Sequence, residues 1–247
     1  MKSEMNRTAL VTGASRGIGK AIAERLAKEG YNLALTCSKD ADNLNKLAKC
    51  LEDEYNIKCI AFVVDGGDCE QVERLFENEF FKENGIDLLV NNAGISYVGL
   101  LHEMTPEEWH RVISVNLDSV FYTCRKAIPY MLSRHAGRIV NISSVWGNVG
   151  ASMEVAYSTT KGGINTFTKA LAKELAPSGI AVNAIACGLI DTSMNACFSE
   201  EDLAAVVEEI PADRIGKPEE VADMVLRIAE APDYLTGQIV TIDGGWV

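Results

Sequence analysis

Apolar residues along this chain come in two rhythms. Short, nearly uninterrupted apolar runs occur at Thr8–Thr12, Asn32–Thr36, Lys58–Val64, Ile86–Val90, Gly137–Ile142, Ile180–Ala186 and Gln238–Ile242. Runs of that length predict buried strands. Between them apolar residues recur at three- and four-residue spacing, the period of an amphipathic helix. Ala21, Ile22, Leu26 and Ala27 mark one such helix, which Gly30 ends. Thr105-Pro106-Glu-Glu predicts a capped start for a long helix that carries Val115, Phe121 and Ala127 to about Arg134. Two further helices are predicted over Val155–Ala176, stopped by Pro177, and over Pro218–Glu230. Strands alternating with helices predict an α/β fold, a parallel sheet with helices on both faces.

No repeat, charge block or low-complexity linker divides the 247 residues, so one domain is expected over 1–247. Cys187 to Pro211 reads as an irregular-to-helical insertion, with 188–211 a lid over a cleft. Lys and Arg number 23 against 35 Asp and Glu, a net charge of −12. That balance disfavours nucleic acid or an anionic membrane as partner. Met1–Arg7 lacks a signal-peptide apolar core, and no run is long enough to span a bilayer. Seven cysteines without a CxxC spacing, and three scattered histidines, give no metal-site pattern. Reduced thiols in a cytoplasmic protein are the expectation.

The sharpest chemical signal is Tyr157-Ser-Thr-Thr-Lys161, with Ser144 upstream. Four-residue spacing puts Tyr157 and Lys161 on one helix face. A phenol near pKa 10 is a poor acid at neutral pH, and a neighbouring ammonium is expected to lower that value. Bringing it down to neutrality would take roughly 4 kcal/mol of differential interaction. Such a pair suits protonation of a carbonyl oxygen, which Ser144 would hold by a hydrogen bond.

Strand ends supply the rest. Gly13, Ser15, Arg16, Gly17, Ile18 and Gly19 form a glycine turn between the first strand and its helix. There a backbone can approach a pyrophosphate, and helix N–H groups face its charge. The second strand ends at Cys37-Ser38-Lys39, where an NAD-binding unit usually carries an acid for the ribose 2′-hydroxyl. A neutral residue there, with Arg16 and Lys39 close by, favours a 2′-phosphate and hence NADP(H); Asp40 argues weakly the other way. Asp65 could accept a hydrogen bond from the adenine amino group, and Asp68 reads as a helix cap. Asn92, Ala93 and Gly94 at the fourth strand end suit ribose contacts. Asn116 inside the long helix calls for a polar partner.

Thr12-Gly-Ala-Ser-Arg-Gly-Ile-Gly19, Asn91-Asn-Ala-Gly94, Asn116, Ser144 and Tyr157-x-x-x-Lys161 occur in one order over nearly the whole chain. In this combination the chain resembles the short-chain dehydrogenase/reductase family. The resemblance implies a single Rossmann-type, doubly wound domain, an NADP(H)-dependent reduction of a ketone, and a homotetramer. It makes Tyr157 the acid/base, Ser144 the carbonyl-orienting hydroxyl, and Lys161 the cation that also binds the nicotinamide ribose. Asn116 would hold a water in a proton relay. Gly188, Ile190 and Thr192 would lie at the nicotinamide end, Thr192 matching the position that contacts the carboxamide. The family's usual Pro-Gly after the sixth strand is Cys187-Gly188 here, which is expected to loosen that loop.

Within the family the chain is most similar to bacterial 3-oxoacyl-[acyl-carrier-protein] reductases. Arg125, Lys126, Arg134 and Lys173 could form a local basic patch for an acidic carrier protein. The run Val145–Tyr157 also resembles reductases of 5-aminopentanone-modified elongation factor P. Glu154 stands there where carrier-protein reductases commonly have Gln. Facing the cleft it would meet a cationic amine on the substrate; as a helix-start carboxylate it would meet only the dipole. A reading of another class is a non-catalytic NADP(H)-sensing regulator, which typically lacks the Tyr or the Lys.

Overall fold

The computed structural model describes residues 7–195 and 199–247. Its seven strands are β1 (Thr8–Val11), β2 (Asn32–Cys37), β3 (Cys59–Val63), β4 (Leu88–Asn91), β5 (Gly137–Ser144), β6 (Ile180–Cys187) and β7 (Ile239–Ile242). They form one parallel sheet in the order β3-β2-β1-β4-β5-β6-β7. The order reverses at β1, so a crevice opens between the loops that leave β1 and β4. Ligands of such sheets bind at that switch point.

Helices α1 (Gly17–Lys28), α2 (Ala41–Tyr55) and α9 (Pro218–Ala229) cover one face. The other face is covered by α3 (Cys69–Phe76), α4 (Glu79–Asn84), α6 (Ser119–Arg134) and α8 (Val155–Leu175). Strand pleating divides the core accordingly. Ala9, Val11, Leu33 and Leu35 pack into the first layer, while Leu10, Ala34 and Leu89 pack into the second. This is the doubly wound arrangement expected of the chain.

The long helix is not continuous. It runs as α5 (Pro106–Ile113), a π turn at Ser114–Asp118, and then α6. Thr105 caps its start in a capping box with Glu108, as the sequence predicts. The π turn carries Asn116, whose amide is tied to Ile95 and Thr160. Phe121, expected on the apolar face with Val115 and Ala127, is 49 % exposed. Six residues past Val115 the helix has turned that side chain away from the core. Asp68 caps α3 as expected, whereas α2, capped by Asp40, and α4 escape the sequence reading.

Of the mid-helix pair in α8, a Cβ at Gly163 would lie 3.3 Å from Leu117, and one at Gly162 would lie 3.5 Å from the Gly147 oxygen. The close neighbours are therefore parts of the same chain, the π turn and the α7 turn (Trp146–Val149). The expected basic patch is largely neutralised. Arg125 and Lys126 share Glu73 at 3.3 and 3.0 Å, and Arg134 pairs with Asp87 at 2.8 Å.

Candidate active site

A cleft of about 1280 Å³ runs along the carboxyl ends of the strands. At one end lies the glycine turn, and its geometry needs those glycines. Gly13 sits at φ +67°, where a Cβ would stand 2.9 Å from the Ala93 Cα. A Cβ at Gly19 would come within 2.2 Å of the Gly13 oxygen. Such distances exclude any side chain. The β4 loop is tied to the turn from the other side. Asn92 and Ala93 backbone N–H groups both donate to Thr12 Oγ1 at 3.0 Å, and the Asn92 side chain donates to the Thr12 oxygen at 2.9 Å. Ser15, Arg16, Gly17 and Ile18 line the cleft, and no side chain caps the start of α1.

Cys37 is buried at the end of β2, and Ser38 and Lys39 are exposed beside it. Among the described residues neither Arg16 nor Lys39 has a carboxylate within ion-pair distance. Asp40 is engaged elsewhere, accepting from the Asn43 side chain at 2.9 Å as the cap of α2. This turn and these cations fit a dinucleotide with a 2′-phosphate. Asp65 lines the cleft as expected; its Oδ1 accepts from Gly67 N–H and its Oδ2 from Arg111, which leaves each oxygen a further lone pair.

Tyr157, Ser144 and Lys161 meet in the middle of the cleft, together with Gly94. β5 delivers Ser144, whose hydroxyl is hydrogen-bonded to Tyr157 and accepts from Trp146 N–H at 3.2 Å. Ser143, one residue earlier, points the opposite way and donates to Asn165 at 2.6 Å. Lys161 donates to the Ile142 oxygen at 2.9 Å, and its Nζ is 5.5 Å from the centre of the Tyr157 ring.

The expected lowering of the Tyr157 pKa by Lys161 is overturned in this state. Burial raises the phenol well above its ordinary value, the Cys187 thiol adds to the rise, and the Ser144 bond opposes it. Desolvation disfavours the phenolate more than the bond to Ser144 favours it. Burial likewise brings Lys161 down to about 8. Cys187, the last residue of β6, is in register with Ser144 and Ile242, and burial pushes its thiol up to about 12. Its oxygen accepts from Val145 N–H, and Gly188 N–H donates to Ile242. Those ladder bonds pin the backbone where the missing proline was expected to loosen it.

Asn116 is fully buried and lies behind the cleft wall. Its Oδ1 accepts from Ile95 N–H at 2.8 Å, and its Nδ2 donates to the Ile95 oxygen and to Thr160 at 2.9 and 3.2 Å. The side chain clamps the Asn92–Ser96 loop to α8. Thr160, which donates to the Tyr157 oxygen at 2.7 Å, was missed because a hydroxyl beside the lysine carries no motif signal.

The far end of the cleft is acidic and aromatic. Glu154 lines it, accepting from Ser96 at 3.0 Å and from Trp146, and burial raises its carboxyl above the usual range. Trp146 packs edge-on against Trp246 at 4.8 Å, and Trp246 donates to Glu209 at 3.3 Å. Trp246 thus has a ring partner and a hydrogen-bond partner within the chain. Gly188, Ile190, Thr192, Leu203 and Val206 line the cleft from the 188–211 segment, of which residues 196–198, including Cys197, lie outside the described residues. Among the described residues no cluster of His, Cys, Asp and Glu could hold a metal ion, and no helix is long and apolar enough to cross a membrane.

Comparison with known proteins agrees with this geometry. The 3-oxoacyl-[acyl-carrier-protein] reductase of Aquifex aeolicus is 41 % identical over 240 residues, 97 % of this chain and 96 % of that protein. An uncharacterized oxidoreductase of Bacillus subtilis, YmfI, is 38 % identical over 98 % of this chain and 99 % of its own length. A solved 3-oxoacyl-[acyl-carrier protein] reductase from Brucella melitensis superposes with a TM-score of 0.91 at 35 % identity, covering 99 % of this chain and 93 % of that one. The short-chain dehydrogenase family model matches residues 7–203. The chain belongs to the short-chain dehydrogenase family, and it is an oxidoreductase.

Proposed function

We propose that this protein reduces a ketone to a secondary alcohol with NADPH, on a substrate of the 3-oxoacyl-[acyl-carrier-protein] type. The observation that carries the reading is the meeting of Tyr157, Ser144 and Lys161 with the glycine turn in one cleft. NADPH supplies the hydride when bound. Gly13 to Gly19, with Asn92 to Gly94, would hold its phosphates and ribose, and Arg16 and Lys39 its 2′-phosphate. Lys161 lies beside Gly94, a Cβ there falling 3.7 Å from its Nζ, and so would serve the nicotinamide ribose. Ile190 and Thr192 would flank the nicotinamide.

Ser144 would orient the substrate carbonyl, and Tyr157 would give its oxygen a proton as the carbon is reduced. Burial keeps the phenol protonated at neutral pH, so the proton is present but tightly held. The buried Lys161 cation would stabilise the phenolate left behind. Asn116 would act by setting the loop against α8. We further propose a homotetramer, supported by the family and by exposed apolar side chains such as Phe121 and Val247. A cytoplasmic location is supported by the free thiols of Cys37, Cys50, Cys59, Cys69, Cys124 and Cys187. The 188–211 segment would serve as the lid.

A second reading, a reductase of a cationic amino-ketone such as 5-aminopentanone-modified elongation factor P, is favoured by Glu154 in the cleft wall and by the pairing of the basic patch with Glu73 and Asp87. One panel tests both: turnover of an acetoacetyl thioester and of an amino-ketone, with NADPH, by the natural protein and by Tyr157→Phe and Glu154→Gln. Tyr157→Phe should lose about two to four orders of magnitude in kcat while still binding NADPH. Near-normal turnover in that variant would remove Tyr157 as the acid, and no turnover by the natural protein would leave a dinucleotide-sensing regulator. Under the second reading Glu154→Gln lowers kcat/KM for the amino-ketone by roughly ten- to a hundredfold and spares the thioester. Equal effects on both substrates return Glu154 to a helix-start role.

A further inference from the structure

The chain end is folded back by one side chain. Asp243 Oδ1 accepts from Gly245 N–H at 2.9 Å, and its Oδ2 accepts from Val247 N–H at 3.0 Å. Gly244 and Gly245 both stand at positive φ, +72° and +87°, which makes the reversal possible. Ala212 N–H donates to the Gly244 oxygen at 3.1 Å, so the tail is also fixed to the chain that follows the 188–211 segment. The residue this clamp delivers to the cleft is Trp246. Glu209 of that segment meets it there, accepting from the Trp246 indole at 3.3 Å.

Two indoles and two carboxylates form the corner that results. Trp246 packs against Trp146 with ring centres 4.8 Å apart and planes at 62°. In an edge-on pair the ring that offers its edge keeps both faces free of its partner. Trp146 is set against the proposed reacting centre, since its backbone N–H donates to Ser144 Oγ at 3.2 Å. Its indole donates to Glu154, which also accepts from Ser96. An indole that donates to a carboxylate gains negative charge over its ring, and Trp is already the best aromatic partner for a cation. Among the described residues neither Glu154 nor Glu209 has a cation within ion-pair distance. The lysines and arginines that line the cleft, Arg16, Lys39, Arg111 and Lys161, stand at its other end or in its middle.

We propose, resting on the amino-ketone reading above, that Trp246 and Glu209 complete with Trp146 and Glu154 a binding corner for the ammonium group of the substrate. Ser144 holds the carbonyl, and Trp146, bonded to it, fixes where the corner begins. A ketone whose cation lies several atoms from the carbonyl spans the two. The rings attract the cation through their faces and the carboxylates through their charge. A neutral group gains neither attraction, and a phosphate is repelled by the carboxylates. The folded-back chain end is thus a determinant of substrate choice.

The test compares kcat/KM, with NADPH, for two methyl ketones of equal shape. One carries a trimethylammonium group on a three-carbon tether, and the other carries the uncharged tert-butyl group in its place. The natural protein should prefer the cationic ketone by about tenfold or more. Trp246→Leu keeps an apolar side chain without the ring and should lower that preference by about three- to tenfold. Trp246→Phe, which keeps a ring, should retain most of it. Glu209→Gln keeps an acceptor for the indole without the charge and should lower the preference by about two- to fivefold. A preference unmoved in a folded Trp246→Leu, or lost as fully in Trp246→Phe, overturns the proposal. Should Trp246→Leu not fold, an unmoved preference in Glu209→Gln overturns it alone. A preference that survives these variants but falls in Glu154→Gln leaves the amino-ketone reading standing and removes the chain end from it. A natural protein that shows no preference, or reduces neither ketone, overturns the amino-ketone reading and this proposal with it.

Discussion

Tyr157 shows how a single side chain is governed by competing terms. Burial and the Cys187 thiol hold its proton on, the Ser144 hydroxyl draws the other way, and the Lys161 ammonium donates to Ile142. The proposed reduction needs the phenol protonated and Lys161 charged. The phenol stays protonated through neutral pH and beyond, so it does not limit the alkaline side. Lys161, brought down to about 8 by burial, loses its charge as pH rises through that value. The kcat/KM for reduction should therefore be level near neutrality and fall above about pH 8, well below the ordinary lysine value. A profile still level at about pH 10 would show that the Lys161 charge is not required. At the cofactor end, Cys37→Asp places a carboxylate against the proposed 2′-phosphate site. The preference for NADPH over NADH, measured as the ratio of kcat/KM values, should shift toward NADH. A natural enzyme already faster with NADH would refute the assignment of Arg16 and Lys39.

At the scale of elements, the site depends on how closely α7, α8 and the β4 loop approach one another. Gly147 lets the α7 turn rest on α8, since a Cβ there would be 2.7 Å from the Lys161 carbonyl carbon. Gly147→Ala must push one backbone off the other. A loss of about 1–3 kcal/mol in chemical denaturation is expected, together with a lower kcat. Gly162→Ala meets its nearest atom at 3.5 Å, an ordinary contact, and replaces a poor helix former by a good one. Its folding stability should be equal or higher by up to about 1 kcal/mol. If both variants lose the same stability, backbone clearance is not what distinguishes the two positions. The strand–turn–helix units could be read from sequence because apolar spacing and glycine placement act over a few residues. The π turn could not, because it is sustained by Asn116 reaching Ile95 and Thr160, 21 and 44 residues away.

The whole molecule carries a net charge of −12 around a cleft that holds Arg16 and Lys39, without ion-pair partners among the described residues, at one end and Glu154 and Glu209 at the other. Exposed Phe121 and Leu132 on α6, with Val247 at the chain end, leave apolar surface for association. Light scattering at micromolar concentration should give a mass well above the 26.8 kDa of one chain, corresponding to four copies. A monomer under those conditions would refute the tetramer.

By itself the sequence determined the seven strands, the helices that follow the first, fourth, fifth and sixth of them, the glycine turn, and the placing of Tyr157, Lys161 and Ser144. Each of these follows from short-range periodicity or from a spacing within one element. Tertiary structure alone decided that burial outweighs charge at Tyr157, that Arg111 pairs with Asp65 across 46 residues, and that Arg125 answers Glu73 across 52. It also decided that Glu154 enters the cleft wall. The strength of an ionic interaction is set by distance and by exclusion of water, and for these residues both arise only when distant parts of the chain pack together.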